Sequence, residues 1–359
     1  MDKRDEIKDV PIWPVDFFIE NDEAWFVHGK LNALFRYSLI DDQLFYEGSV
    51  SGVEAVKADL FSNLVKKGDK IYLVPLFADR IGVYDIKSHQ ESSIAFPYDN
   101  KEKPGYAAGI VSIDNKIYCI PFKGGNGIAC IDTDKGICYV EDDFNGEIPE
   151  YFKANTCGLV LGDGIIIFTI TGKNEFLKID VISKKISVYN VPYDTVPIAH
   201  SVAMANGLLY FLGYNSDKVY VMDSNSMEFI FSFNIHKKNA LIQGYRERYL
   251  LIDSFDGDGA EIYDTVTGVF RDFNYSRDKK KNSESYDYNV GIIRENDRGK
   301  FYYYNRINNE IIEIESGKTW VPKLNQLEFE KISEGFKRLP KPQMITEGIV
   351  YGLNEFLFL

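Results

Sequence analysis

The chain has 359 residues, 45% hydrophobic and 14% aromatic, with 24 Tyr and 25 Phe, so there is ample material for a large core. Its formal net charge of -13 argues against nucleic acid or an anionic membrane as a general partner, because both need a positive face. Four cysteines (Cys119, Cys130, Cys138 and Cys157) form no CxxC pair and no zinc-spaced cluster with histidine, which favours a reduced compartment.

The N-terminal residues, MDKRDEIKDVPIW, are charged and lack the apolar stretch of a signal peptide. No apolar run approaches the roughly 20 residues that a membrane span needs. A cytoplasmic location is the expectation, and the Lys-, Ile- and Asn-rich composition fits a low-GC bacterial source.

From there a phrase repeats along the chain. An apolar, Tyr-rich strand is followed by a short loop, then by a second apolar strand that ends in an acidic residue and a turn. Ala24 to Ser38 is an early, weaker copy, and Asp69 to Asp85 (DKIYLVPLFADRIGVYD) says it clearly. Asn115 to Asp132, Asp163 to Asp180, Asn206 to Asp223, Arg248 to Asp264 and Lys300 to Glu315 follow. The closing position is thus Ser38, Asp85, Asp132, Asp180, Asp223, Asp264 and Glu315. Its spacing of roughly 40–50 residues overrides the two-domain prior that length alone suggests.

Within the third unit the turn residues separate four strands: Ala108 to Ser112, Lys116 to Pro121, Ile128 to Asp132 and Ile137 to Glu141. An Asp that opens such a turn has a local task, since its carboxylate accepts backbone N–H groups two and three residues on. Four strands per period of this length mark a β-propeller blade. The expected fold is all-β, a single propeller of four-stranded antiparallel blades, with seven blades preferred and eight possible. The blades fall at about 15–52, 58–98, 106–144, 154–192, 199–235, 239–276 and 287–325. The tail, 326–359, reads as a short helix over Leu327 to Lys337 and a hairpin over Gly348 to Leu359. The helix presents Leu327, Phe329, Ile332 and Phe336 on one side, and the hairpin is placed to complete a blade with residues such as Ile7 to Ile12.

Turns such as Tyr84-Asp85-Ile86 and Tyr263-Asp264-Thr265-Val266-Thr267-Gly268 give the chain a resemblance to the broad kelch, WD and quinoprotein-like group of propellers. It covers roughly Phe17 to Trp320. No unit carries a full kelch double-glycine signature or ends in a Trp-Asp pair. Glu315 to Trp320 looks like the end of a sialidase-type Asp box but lacks the leading Ser.

In propellers of this kind the resemblance implies a ligand site at the mouth of the central channel, ringed by two loop sets. The start of the first strand of each blade then offers Asp16, Asn63, Asn155, His200, Asn239 and Asn289. Loops between second and third strands offer Asp79, Arg80, Lys123, Lys173, Asn215, Asp217, Asp256, Asp258 and Arg306. Arg80 and Arg306 suit a carboxylate as bidentate forks. His200, in Pro197-Ile198-Ala199-His200-Ser201, suits a general base, and His28 could share the rim. Asp256 and Asp258 stand in a glycine-bearing acidic loop, a weak calcium candidate that departs from EF-hand spacing. No cofactor is otherwise expected. Lys123-Gly124-Gly125-Asn126-Gly127 has no strand-to-helix context and reads as a hairpin rather than a phosphate cradle. Lys279-Lys280-Lys281 reads as a solvated loop.

The leading functional reading is a binding module for a protein, peptide or carbohydrate. Tyr106, Tyr151 and Phe152 are candidate anchors in or beside the long inter-blade links. The rival is an enzyme, a lyase, hydrolase or epimerase acting on a sugar or peptide, with His200 as base and Arg80 or Arg306 steadying an enolate. A structural subunit of a larger complex is the third reading.

Overall fold

The structure is a computed structural model that describes residues 12, 14–55, 60–97, 109–120, 127–152, 158–162, 164–170, 172–192, 198–213, 216–238, 240–254, 259–273, 291–306 and 308–340. Seven sheets, each of four consecutive antiparallel strands, follow one another along the chain as a seven-bladed β-propeller. Sheet 1 holds β1 (Pro14–Glu20), β2 (Glu23–His28), β3 (Leu34–Ser38) and β4 (Gln43–Gly48). Sheet 2 runs from β5 (Phe61–Lys67) through β6 (Lys70–Pro75) and β7 (Arg80–Asp85) to β8 (Gln90–Ala95). Sheet 3 comprises β9 (Gly109–Ile113), β10 (Lys116–Ile120), β11 (Ile128–Asp132) and β12 (Ile137–Glu141). Sheet 4 comprises β13 (Leu159–Leu161), β14 (Ile165–Thr169), β15 (Glu175–Asp180) and β16 (Lys185–Asn190). Sheet 5 has β17 (Ile198–Ala205), β18 (Leu208–Gly213), β19 (Lys218–Asp223) and β20 (Phe229–Asn234). Sheet 6 has β21 (Ala240–Tyr245), β22 (Tyr249–Ser254), β23 (Ala260–Asp264) and β24 (Val269–Phe273). Sheet 7 has β25 (Ile292–Glu295), β26 (Phe301–Asn305), β27 (Glu310–Glu313) and β28 (Thr319–Trp320), and α1 (Gln326–Phe336) follows it.

The chain divides into two compact units. One gathers Met1–Gly105, Thr133–Cys138 and Ile292–Leu359, and the other Tyr106–Asp132 and Tyr139–Gly291. In the first unit, one apolar cluster joins sheet 7, sheet 1 and α1 through Phe17, Phe26, Phe35, Tyr302, Tyr304 and Phe329. A second joins sheets 1 and 2 through Trp25, Leu34, Phe61, Leu73 and Tyr84. In the second unit separate clusters lie between sheets 3 and 4, 4 and 5, and 5 and 6. Successive side chains of second and third strands are buried. That is why β10 (KIYCI), β11 (IACID) and β26 (FYYYN) read as unbroken apolar runs rather than alternating ones. Close packing of sheets also fixes some glycines: a Cβ on Gly82 of β7 would meet Val50 at 2.4 Å, and one on Gly244 of β21 the Met204 carbonyl at 2.7 Å.

The turn chemistry is as expected. The Oδ1 of Asp85 accepts Lys87 N–H (3.1 Å) and Ser88 N–H (2.9 Å). Asp180, Asp223 and Asp264 repeat the arrangement with the second and third residues after them. Ser38 Oγ takes the Asp41 N–H at 3.1 Å. In the last copy the position falls at Glu313, where β27 ends, and not at Glu315. The Glu313 carbonyl accepts Gly317 N–H at 2.8 Å, as Asp264 accepts Gly268 N–H.

One expectation about the tail changes. Among the described residues seven four-stranded sheets form, the preferred count. Sheet 7 meets sheet 1 through side chains: Trp320 Nε1 donates to the Leu39 carbonyl (2.8 Å) and Tyr304 Oη to the Ile12 carbonyl (2.8 Å). The expected hairpin over 348–359 and residues 7–11 lie outside the described residues. The helix forms as expected, with Asn325 Oδ1 capping Glu328 N–H at 2.9 Å. Its inner face differs, however: Leu327 is 61% exposed while Glu328 is buried. Glu328 turns inward because its carboxylate accepts the backbone N–H of Tyr46 at 2.7 Å, closing the open edge of β4.

Candidate functional site

In the first unit β1 lies against both β5 and β25, so the first strands of sheets 1, 2 and 7 adjoin. A bulge between Pro14 and Asp16 shifts the register of β1, and a matching one between Phe61 and Asn63 shifts β5. The Asp16 carboxylate, 3% exposed, is held from all sides. Its Oδ1 accepts Phe17 N–H at 2.9 Å and Arg294 Nη2 at 2.5 Å. Its Oδ2 accepts Leu64 N–H at 3.0 Å and Asn63 Nδ2 at 3.4 Å. Arg294 also donates Nη1 to the Ile293 carbonyl, and its side chain keeps 37% exposure. Arg306, just after β26, donates Nη2 to the Val15 carbonyl at 3.0 Å.

Three residues singled out in the sequence, Asp16, Asn63 and Arg306, thus gather around β1. Arg294 joins them and was missed. Its signal was present: among the seven first strands only β25 contains an arginine. Two residues carry related roles in the second unit, where Ser201 Oγ accepts Ile242 N–H (2.8 Å) and Asp253 Oδ2 accepts Gly291 N–H (2.9 Å). Asp16 and Ser201 each tie one sheet to the backbone of the next within their own unit.

Arg80 is elsewhere. It opens β7, donates Nη1 to Ser93 Oγ at 3.4 Å and lies beside the Gly52 turn. The Lys173 ammonium sits 5.1 Å from the ring centre of Tyr151, which is 52% exposed and donates to Glu175. Phe152 is buried edge-on against Phe168 and belongs to the core, not to an exposed surface. Tyr106, Lys123, Asn155, Asn215, Asn239, Asp256, Asp258 and Asn289 lie outside the described residues, as does the side chain of His200, whose backbone is part of β17. Among the described residues no cluster of three His, Cys, Asp or Glu could hold a metal ion. No helix among them is long and apolar enough to cross a membrane.

The other histidines are occupied in the fold. His28 is buried, and its Nδ1 accepts Lys30 N–H (3.0 Å) and Leu31 N–H (3.2 Å). The ring of His236 stands 2.9 Å from Glu261 Oε2 and against Phe270. His89 joins a polar network between sheets 1 and 2, with Tyr84, Glu47, Arg36 and Glu23. Burial works to raise the Glu47 carboxyl, but hydrogen bonds from Tyr84, Arg36 and His89 outweigh it and hold it below the usual range. Glu91, which lines a small neighbouring cleft with Leu34, Ser49, Val50, Leu73 and Tyr84, goes the other way. Burial raises it against the Ser49 N–H and Arg338.

No family model matches the chain, and no curated protein matches its sequence. Solved structures do match, at low identity. A streptogramin B lyase shares 14% identity at a TM-score of 0.58, over 84% of this chain and 94% of its own. A catalytically inactive variant of virginiamycin B lyase from Staphylococcus aureus, with quinupristin, shares 16% at 0.60, over 83% and 94%. The Dos1 propeller shares 10% at 0.57, over 88% and 84%. The likeness is one of fold: a β-propeller.

Proposed function

We propose that the protein is a binding module, and that Arg294 on β25 receives an anionic group of a protein, peptide or carbohydrate ligand. One observation carries the reading. The Asp16 carboxylate is buried with both oxygens engaged, so it acts as a rigid support that aims a part-exposed guanidinium, rather than as an exchangeable base. The guanidinium commits one N–H of each terminal nitrogen, to Asp16 and to the Ile293 carbonyl, and its remaining N–H groups can still be offered to a carboxylate. Tyr151, exposed and paired with Lys173, is a second candidate anchor.

The alternative is turnover of a sugar or peptide with His200 as base. It draws on the two lyases among the structural neighbours and on the place of His200 in a first strand. A thermal-shift screen with sugar acids and acidic peptides, followed by mass spectrometry of each hit, separates the two. A binding module gives a saturable shift and returns the ligand unchanged. Product that disappears in His200→Ala, with the shift retained, would replace binding by catalysis.

A further inference from the structure

We propose that β20 is a self-association surface that takes a second copy of this chain, strand against strand in an antiparallel, two-fold arrangement. Phe229, Ile230 and Phe231 are 45%, 47% and 42% exposed, three consecutive large apolar side chains on an outer strand. Of the other outer strands of four or more residues, β8, β16 and β24 carry exposed charge (Glu91, Lys185, Arg271 and Asp272), and α1 covers β4, whereas Glu47 on β4 and Glu141 on β12 are buried. Charge on an edge is the usual guard against pairing, and β20 (FIFSFN) has none.

The ends of the strand identify the occupant. Glu228 precedes it, exposed, and Lys237 and Lys238 follow it. An antiparallel two-fold contact brings the acidic end of one copy to the basic end of the other, whereas a parallel contact opposes like charges. The surface is therefore complementary to itself. The register break beside Phe231, where Val221 faces Phe231 and Met222 faces Phe229, interrupts the outward ladder. The contact is accordingly made by the apolar side chains, with the charged ends setting direction, rather than by one continuous sheet.

Sedimentation velocity on the full chain, from low to high micromolar concentration at about 0.15 M salt, tests this; that salt screens the overall negative charge beyond about 8 Å. The expected result is a dimer fraction that rises with concentration and is absent in Phe229→Glu/Phe231→Glu, whose circular dichroism and melting temperature match the wild type. Glu228→Lys weakens the dimer about tenfold, as turning an attractive rim pair repulsive should, and adding Lys238→Glu restores it. A wild-type chain that stays monomeric throughout, or a double phenylalanine variant that dimerises as well as the wild type, overturns the proposal.

Discussion

Two outer strands of the same architecture meet opposite fates. The edge of β4 is closed by the chain itself: α1 lays Phe329, Ile332 and Phe336 into the cluster between sheets 1 and 7, and Glu328 takes the Tyr46 N–H. The edge of β20 has no such cover among the described residues, and it exposes the apolar trio. The difference lies in what each strand meets. At β4 the Tyr46 N–H, beside a register shift, meets a buried carboxylate. At β20 the register also shifts, and Phe229, Ile230 and Phe231 remain exposed there. Repetition of one unit thus sets the strands, while local departures decide which edges are sealed.

The comparison breaks most severely at the helix. Phe329→Ala should cost about 3–5 kcal/mol, since a fully buried ring is removed from a packed cluster, read as a lower denaturant midpoint. Glu328→Ala should cost less, about 1–3 kcal/mol, by leaving the Tyr46 donor without its acceptor; Glu328→Gln, which keeps an acceptor oxygen, should recover much of that. An equal loss in both variants would mean that the charge, not the edge contact, matters.

The acid response sharpens the picture of β4 further. Glu47 is held below its unfolded value, so its stabilisation is present above the ordinary carboxylate pKa and is lost as pH falls through the folded one. Glu91 is raised, so ionising it opposes folding, and stability is regained as pH falls through its folded pKa toward the unfolded value. Melting temperature against pH should therefore flatten on the acid side in Glu47→Gln, and Glu91→Gln should be neutral or stabilising at pH 7. A steeper acid loss in Glu47→Gln would reverse the assignment. The smallest effect belongs to the bare edge: Phe229→Glu/Phe231→Glu should leave monomer stability within about 0.5 kcal/mol per site, because both side chains are already in contact with water.

Much of the architecture was legible because each unit repeats the same local physics. The Asp85, Asp180, Asp223 and Asp264 turns announce themselves by residue type, and buried strands announce themselves as apolar runs. The tail was misread where a single polar residue faces inward. A helix pattern places Glu328 in water and Leu327 in the core, and only the donor on β4 inverts them. The site was legible in part. Asp16 and Asn63 stand at matching places in two repeats, which alignment of the units exposes. Arg294 is marked as the one arginine among the first strands, but its partner Asp16 lies 278 residues away and only the fold brings the two together.

The most direct test of the central claim compares ligand binding by wild type and Arg294→Lys, with the best sugar acid or acidic peptide from the screen as titrant in calorimetry. Lysine keeps the charge beside Asp16 and removes only the fork. The account predicts affinity lower by about tenfold or more, since charge-assisted hydrogen bonds of about 1.5–3 kcal/mol are lost, with an unchanged melting temperature. Equal affinity in the two proteins would contradict it and move the ligand away from the first strands of sheets 1, 2 and 7.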